Sequence, residues 1–279
     1  MLTGTFTPSA FAPTFSSALH FNQPTTPVTI RFSNSTGIPQ IPDFDANSNP
    51  RGIGIRFHLG GRSHTDIIAH STSFFPTRTG EGFLELLGAI GASATATEKP
   101  TPIEKFLGAN PSALAFVSDP KPAPASFATE KFFGVNAFKF TNYEGKTNYA
   151  RYKITPDAGY KEADQQTLTE KSAETNYLMN EIKERVGTKG EKVGFKILVQ
   201  IAEEGDVTDD ATVHWPDERK VEELGGFVLD ALVEDSEKEQ KYVIFDPIPR
   251  VEGIEASADP LLNVRAGVYL ISGKERRAA

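Results

Sequence analysis

The chain has 279 residues, of which 38% are apolar and 24% charged, and 29 basic side chains against 37 acidic ones give a net charge of −8. This is a globular composition, long enough for one large core or two small ones, and an acidic chain without a dense basic block suits neither nucleic acid nor an anionic membrane surface. There is no cysteine, which excludes disulfides, thiolate-held zinc, iron–sulfur clusters and cysteine nucleophiles.

Phenylalanine is frequent, with 20 residues against seven tyrosines and one tryptophan. Such a supply suits a large core or a flat apolar pocket, and composition alone does not separate the two. No apolar run is long enough to span a bilayer. The N-terminus carries neither the basic start nor the long apolar core of a signal peptide. The expectation is a cytoplasmic protein with no membrane partner.

In chain order, residues 1–27 read as an irregular N-terminal arm with one short helix near Ser9–Leu19, an arm open to being incomplete at its start. The core is expected over 28–279. Val28 to Phe32 alternates as a strand does. Asn34 to Pro50 is a polar, proline-rich loop. Gly52 to Leu59 and Thr65 to His70 are strands around the Gly60-Gly61 turn signal. Glu81 to Ile90 spaces Phe83, Leu84, Leu86, Leu87 and Ile90 as an amphipathic helix. Short helices follow at Ile103–Leu107 and Ser112–Val117. Phe138–Phe140 and Tyr149–Ile154 bracket a hairpin turn. Lys161 to Arg185 has helical spacing. Phe195–Ile201, Lys220–Leu232 and Tyr242–Phe245 read as further strands, and Pro260–Leu270 as a helix. The densest basic run, Lys274-Glu275-Arg276-Arg277, reads as a solvated tail. About eight short strands with antiparallel connections and no βαβ rhythm predict an α+β domain built round an antiparallel sheet or barrel.

The last helix holds the most informative pair. Arg265 and Tyr269 are four residues apart and share one helix face. An arginine beside a tyrosine favours the phenolate, because a nearby positive charge stabilises the ionised form. A phenolate is a hard, anionic ligand that suits ferric haem iron.

Several blocks stand in a telling order: Pro27-Val28-Thr29-Ile30-Arg31-Phe32-Ser33, then Pro50-Arg51-Gly52-Ile53-Gly54-Ile55-Arg56-Phe57, then Thr65-Asp66-Ile67-Ile68-Ala69-His70 with Phe74-Phe75. Val207-Thr208 leads to Trp215-Pro216, and Phe245-Asp246-Pro247 leads to Tyr269. In these blocks, which cover nearly the whole chain, the sequence resembles the haem catalase superfamily in its short, catalase-related peroxidase form. The resemblance implies an eight-stranded antiparallel β-barrel with surrounding helices and a buried haem b. By position, Tyr269 resembles the tyrosinate that ligates iron, and Arg265 resembles the arginine that hydrogen-bonds it. Arg31 is similar to an arginine that pairs with a haem propionate, and Phe83 looks like a phenylalanine on the distal face of the haem. Hydrogen peroxide is the implied substrate, with a small organic reductant as an optional electron donor. A homo-oligomer is an implied option, since larger members are tetramers.

Two positions depart from the family pattern. The family's distal histidine sits just upstream of a block similar to Gly4-Thr5-Phe6, where this sequence begins. The family's distal asparagine falls near His70-Ser71-Thr72-Ser73, which holds none; Ser73 or Ser71 offers a hydroxyl instead, and His70 reads first as a structural histidine and second as a participant in that distal pocket. The expected function is therefore haem-dependent decomposition of hydrogen peroxide. The alternative is a haem-binding protein with little or no peroxide turnover. A barrel that holds no haem is a third reading.

Overall fold

Alternation decides the architecture. Val28, Ile30 and Phe32 are buried while Thr29, Arg31 and Ser33 between them are only partly so, the period-two pattern of a strand with one face in a core. A computed structural model of the protein describes residues 1–34, 41–171 and 174–278. Its strands are β1 Leu2–Pro8, β2 Thr26–Asn34, β3 Arg51–Gly60, β4 Ser63–His70, β5 Phe132–Phe133, β6 Phe138–Thr141, β7 Thr147–Pro156, β8 Val193–Ile201, β9 Val221–Leu232 and β10 Ile254–Ala256. All pair antiparallel, in the order β10-β6-β7-β5-β4-β3-β2-β1-β9-β8. A further β7–β8 pairing joins the ends. Eight strands thus close into a barrel, and β6 and β10 form a flap hung on β7. Closure leaves the barrel no free edge.

The helices are α1 Ala12–Phe15, α2 Gly80–Ser93, α3 Pro102–Ala109, α4 Pro111–Ser118, α5 Gln165–Lys171, α6 Tyr177–Lys183, α7 Ser236–Glu239 and α8 Pro260–Ala278. Among the described residues none is long and apolar enough to cross a membrane. Much of the phenylalanine supply fills the barrel. Phe6, Phe57, Phe132, Phe195 and Phe227 are fully buried. Phe6 meets Phe57 edge-on at 5.2 Å and Phe195 stacks on Phe227 at 5.3 Å.

Two of the expected elements change. Residues 1–27 are not an irregular arm at their start: β1 runs between β2 and β9 as a central barrel strand. Only Leu2 and Phe6 of β1 are buried, too thin a pattern to read without its neighbours. Gly4 sits where β1 shifts register, and a Cβ there would stand 2.0 Å from the Val228 carbonyl oxygen. Residues 242–245 form no strand: Tyr242 belongs to a turn, the three residues after it take no regular structure, and Phe245 is buried. The helix at Glu81–Ile90 is present, with Thr79 accepting a hydrogen bond from Gly82 N–H at 3.2 Å as its N-cap. Its apolar face is mostly uncovered: Leu86 is buried, but Leu84 is 71% exposed.

Candidate functional site

The outward faces of β2, β3 and β4 make one wall of a cavity of about 350 Å³. Register sets that wall in two rows. Arg31 pairs with Gly54, and Gly54 with Ile68; Ser33 pairs with Gly52, and Gly52 with His70. The two glycines strip the middle strand of side chains and leave the wall flat. α8 forms the facing wall through Tyr269, Ser272 and Arg276, and the 242–245 segment adds Ile244 and Phe245.

That segment is clamped to the sheet. Arg56 and Asp66 pair through two bonds, Nε to Oδ1 at 2.9 Å and Nη2 to Oδ2 at 2.8 Å. Asp66 also accepts from Asp246 N–H at 2.8 Å, and Arg56 donates to the Ile244 carbonyl. Phe245, between those anchors, lies under Arg31 at 4.9 Å and Arg56 at 5.4 Å from its ring centre. It presses close on Gly54, where a Cβ would meet the ring at 3.0 Å.

α8 begins at Pro260, a residue suited to the first helical position. Asp259 before it accepts the Leu261 N–H at 2.9 Å. The other carboxylate oxygen accepts from Asn136 Nδ2 at 2.8 Å. Asn136 Oδ1 in turn accepts from Arg265 Nη1. Arg265 reaches Tyr269 Oη with Nη2 at 3.3 Å and Nε at 3.4 Å. Asp259, Asn136, Arg265 and Tyr269 are thus one connected line, with Asp259 and Asn136 each 2% exposed. Burial raises the Asp259 carboxyl above its usual range, and the Asn136 hydrogen bond opposes that rise.

The cavity is cationic inside an acidic protein. Neither Arg31 nor Arg276 forms an ion pair among the described residues. Arg276 donates to the Gln240 carbonyl at 3.1 Å, but its buried Nε has no partner. Burial first, and the Arg276 charge second, pull the Arg31 guanidinium below its ordinary value. Half-buried cations without a counter-charge carry a desolvation cost, and this setting favours an anion. Among the described residues no group of three or more His, Cys, Asp and Glu side chains gathers to hold a metal ion.

Of the residues expected from sequence, Arg31 and Tyr269 line this cavity and Arg265 braces Tyr269. Phe83 lies outside the lining, packed on Phe75 at 5.0 Å. Arg276 is no solvated tail residue. It stands seven positions after Tyr269, about two turns on and on the same face, a spacing that would have found it. Asn136 has no such signal, because its partner is 129 residues away.

A model of the catalase family matches residues 2–278. The chain belongs to the catalase family. A catalase-related peroxidase from Synechococcus elongatus is 32% identical, over 98% of this chain and 80% of its own length. One from Mycolicibacterium paratuberculosis is 31% identical, over 98% and 85%. Among solved structures, a fungal catalase superposes with a TM-score of 0.86 at 21% identity, over 99% of this chain and 57% of its own. Catalase A from Saccharomyces cerevisiae gives 0.84 at 20% identity, over 99% and 59%. The chain spans a little over half the length of those two catalases. The likeness to them bears out the eight-stranded barrel with surrounding helices that the sequence predicts.

Proposed function

We propose that this chain is a haem-dependent peroxidase of the catalase family, that it seats haem b between the β2–β3–β4 wall and α8, and that it decomposes hydrogen peroxide there. The cavity fits that group. Haem b is flat and carries two carboxylates, and the site offers a flat glycine wall and two guanidiniums with no carboxylate of their own. Tyr269 would supply the protein's ligand to the iron. Arg265 would donate to the phenolate oxygen, with Asn136 and Asp259 holding the guanidinium in place. Arg31 and Arg276 would take the carboxylates, for which a guanidinium fork is well shaped. When bound, haem supplies the redox-active iron that cleaves the peroxide O–O bond.

The observation that carries this reading is the meeting of unpaired Arg31 and Arg276 with the braced phenol of Tyr269 in one cavity. Peroxide decomposition is preferred to haem binding without turnover because relatives named as peroxidases match 98% of the chain. That name also supports a small organic reductant as electron donor. Self-association is part of the same proposal. It is supported by the exposed Leu270 and Ile271 of α8 and Leu84 and Leu87 of α2, and size-exclusion chromatography reads it directly.

The test is a haemin titration followed by absorption, with a peroxide assay on the same samples. One equivalent should bind with a tyrosinate-type spectrum, and Tyr269→Phe should lose that spectrum. Saturable binding that Tyr269→Phe leaves unchanged would reject the assigned ligand. The absence of specific uptake would reject the haem reading.

A further inference from the structure

One buried titratable group lies outside the cavity altogether. β1 and β2 are neighbours in the barrel, yet residues 9–25 join them in place of a tight turn. That segment folds back over the end of the barrel: its Ala12, Phe15, Ala18 and Phe21 belong to the same core as Phe6 and Phe57. Two bonds fasten it from outside. Ser16 Oγ donates to the Gly253 carbonyl at 2.8 Å, and Ser17 N–H donates to the Thr141 carbonyl at 2.9 Å. Asn22 Nδ2 holds it together from within, donating to the Ser16 and Ala18 carbonyls at 3.0 and 2.8 Å. The segment is a plug.

His20 is the plug's one titratable side chain. It sits on the helical turn Leu19–Phe21 and is 1% exposed. Its ring centre lies 4.0 Å from that of Phe21 in the same turn, 4.5 Å from Phe57 of β3 and 6.3 Å from Phe6 of β1. Its buried Nδ1 has no hydrogen-bond partner among the described residues. The facing groups bring no charge. Arg56 and His58 flank Phe57 in the strand and so point to the other side of β3, where Arg56 pairs with Asp66 and His58 meets Thr29 Oγ1 at 2.9 Å. Thr5 and Thr7, which flank Phe6, are neutral. A neutral imidazole can stay in this cage, but an imidazolium would have neither water nor a counter-charge.

We propose that His20 makes the plug acid-labile, so that a proton taken from solvent by the imidazole drives Leu19–Phe21 out of the barrel end and frees the 9–25 segment. Burial pulls the His20 pKa from 6.5 down to about 3. The seated ring therefore takes no proton until about pH 3, whereas the released ring takes one below about pH 6.5. The plug is tightest above that value and loosens as pH falls from it. The device lies inside the barrel and does not depend on the haem reading, which concerns the outward face of β2, β3 and β4.

Hydrogen exchange of the full chain, resolved by peptide and corrected for the intrinsic rate at each pH, reads the opening of residues 9–25. His20→Phe and His20→Leu cannot take up the proton and provide the baseline. Relative to them, the opening constant of the segment in the unaltered chain should grow about tenfold per pH unit from about pH 6 to pH 4. Parallel pH profiles in the unaltered chain and either folded variant would overturn the proposal. Acid sensitivity spread evenly over the barrel strands, with no separate opening of 9–25, would also overturn it. A second measurement needs only the folded, unaltered chain at neutral to mildly acid pH: the His20 ring resonances should show no free titration near pH 6.5, and a normal titration there would reject the trapped neutral ring.

Discussion

Asn136→Leu cuts the line that braces Tyr269 at its middle. The substitution keeps the volume roughly constant and removes two hydrogen bonds, each to a charged partner. Bonds of that kind are worth about 1.5–3 kcal/mol apiece. The loss should fall toward the lower end of their sum, near 3 kcal/mol, because Asp259 keeps the Leu261 N–H and its carboxyl can take up a proton. For a chain of this size that corresponds to a fall in Tm of about 6–12 °C. Circular-dichroism melts of the haem-free protein measure it, and a deficit below about 1 kcal/mol would refute the linked-brace description.

The pH dependence separates a lost donor from poorer packing. Burial already raises the Asp259 carboxyl, and the Asn136 donor opposes that. Without the donor the folded-state value climbs further above the unfolded one. A carboxyl raised in this way contributes stability in acid, where it is protonated, and loses it as pH rises through the folded value. The gap between Asn136→Leu and the unaltered protein should therefore shrink on acidification. A gap that stays constant from about pH 4 to pH 8 would assign the loss to packing alone.

Asp66→Ala should destabilise by about 3–5 kcal/mol, because it strands Arg56, whose side chain is only 11% exposed; replacing both with Arg56→Met and Asp66→Leu should recover most of that in urea titrations. Glu130 is buried, and burial lifts its pKa to about 7 against the opposing Lys131 N–H and the Arg51 charge. Its stabilising effect is thus full below about pH 4.5 and is lost as pH rises through 7, so Glu130→Gln should flatten the urea midpoint between those limits. Arg31→Met removes a cation that is desolvated and repelled by Arg276, so the haem-free protein should melt no lower than the unaltered one. The same variant should bind haemin at least tenfold more weakly, about 1.4 kcal/mol, and equal affinity in the titration would remove Arg31 from the seat.

What was legible in the sequence was local. β2, β3, β4 and β8 carry enough alternating β-branched and aromatic residues to announce themselves. Arg265 and Tyr269 were readable because a helix converts a spacing of four into a contact. β1 was not, since its strand character comes from the two neighbours that clasp it. Tyr242 to Phe245 has strand composition, but β-propensity reflects fit to a pleated, half-buried surface. Here the chain is pinned by Arg56 and Asp66 side chains instead of a ladder. Asn136 and His70 acquire their settings from residues far away in the chain, which no window on one sequence brings together.

Arg276 shows where reading by composition goes astray. A run of charges at a chain end normally faces water, and nothing in Lys274-Glu275-Arg276-Arg277 contradicts that. A helix, however, turns each successive side chain about 100°, so charge density along the chain says little about which charge points inward. The deciding quantity is phase relative to Tyr269, which puts Arg276 on the cavity face together with Ser272. The cost of holding Arg31 and Arg276 unpaired is borne by a barrel whose core is made of phenylalanine, and a bound dianion would relieve it. Ligand binding and stability are therefore coupled at this site: whatever neutralises the two guanidiniums also stabilises the packing of α8 against the sheet.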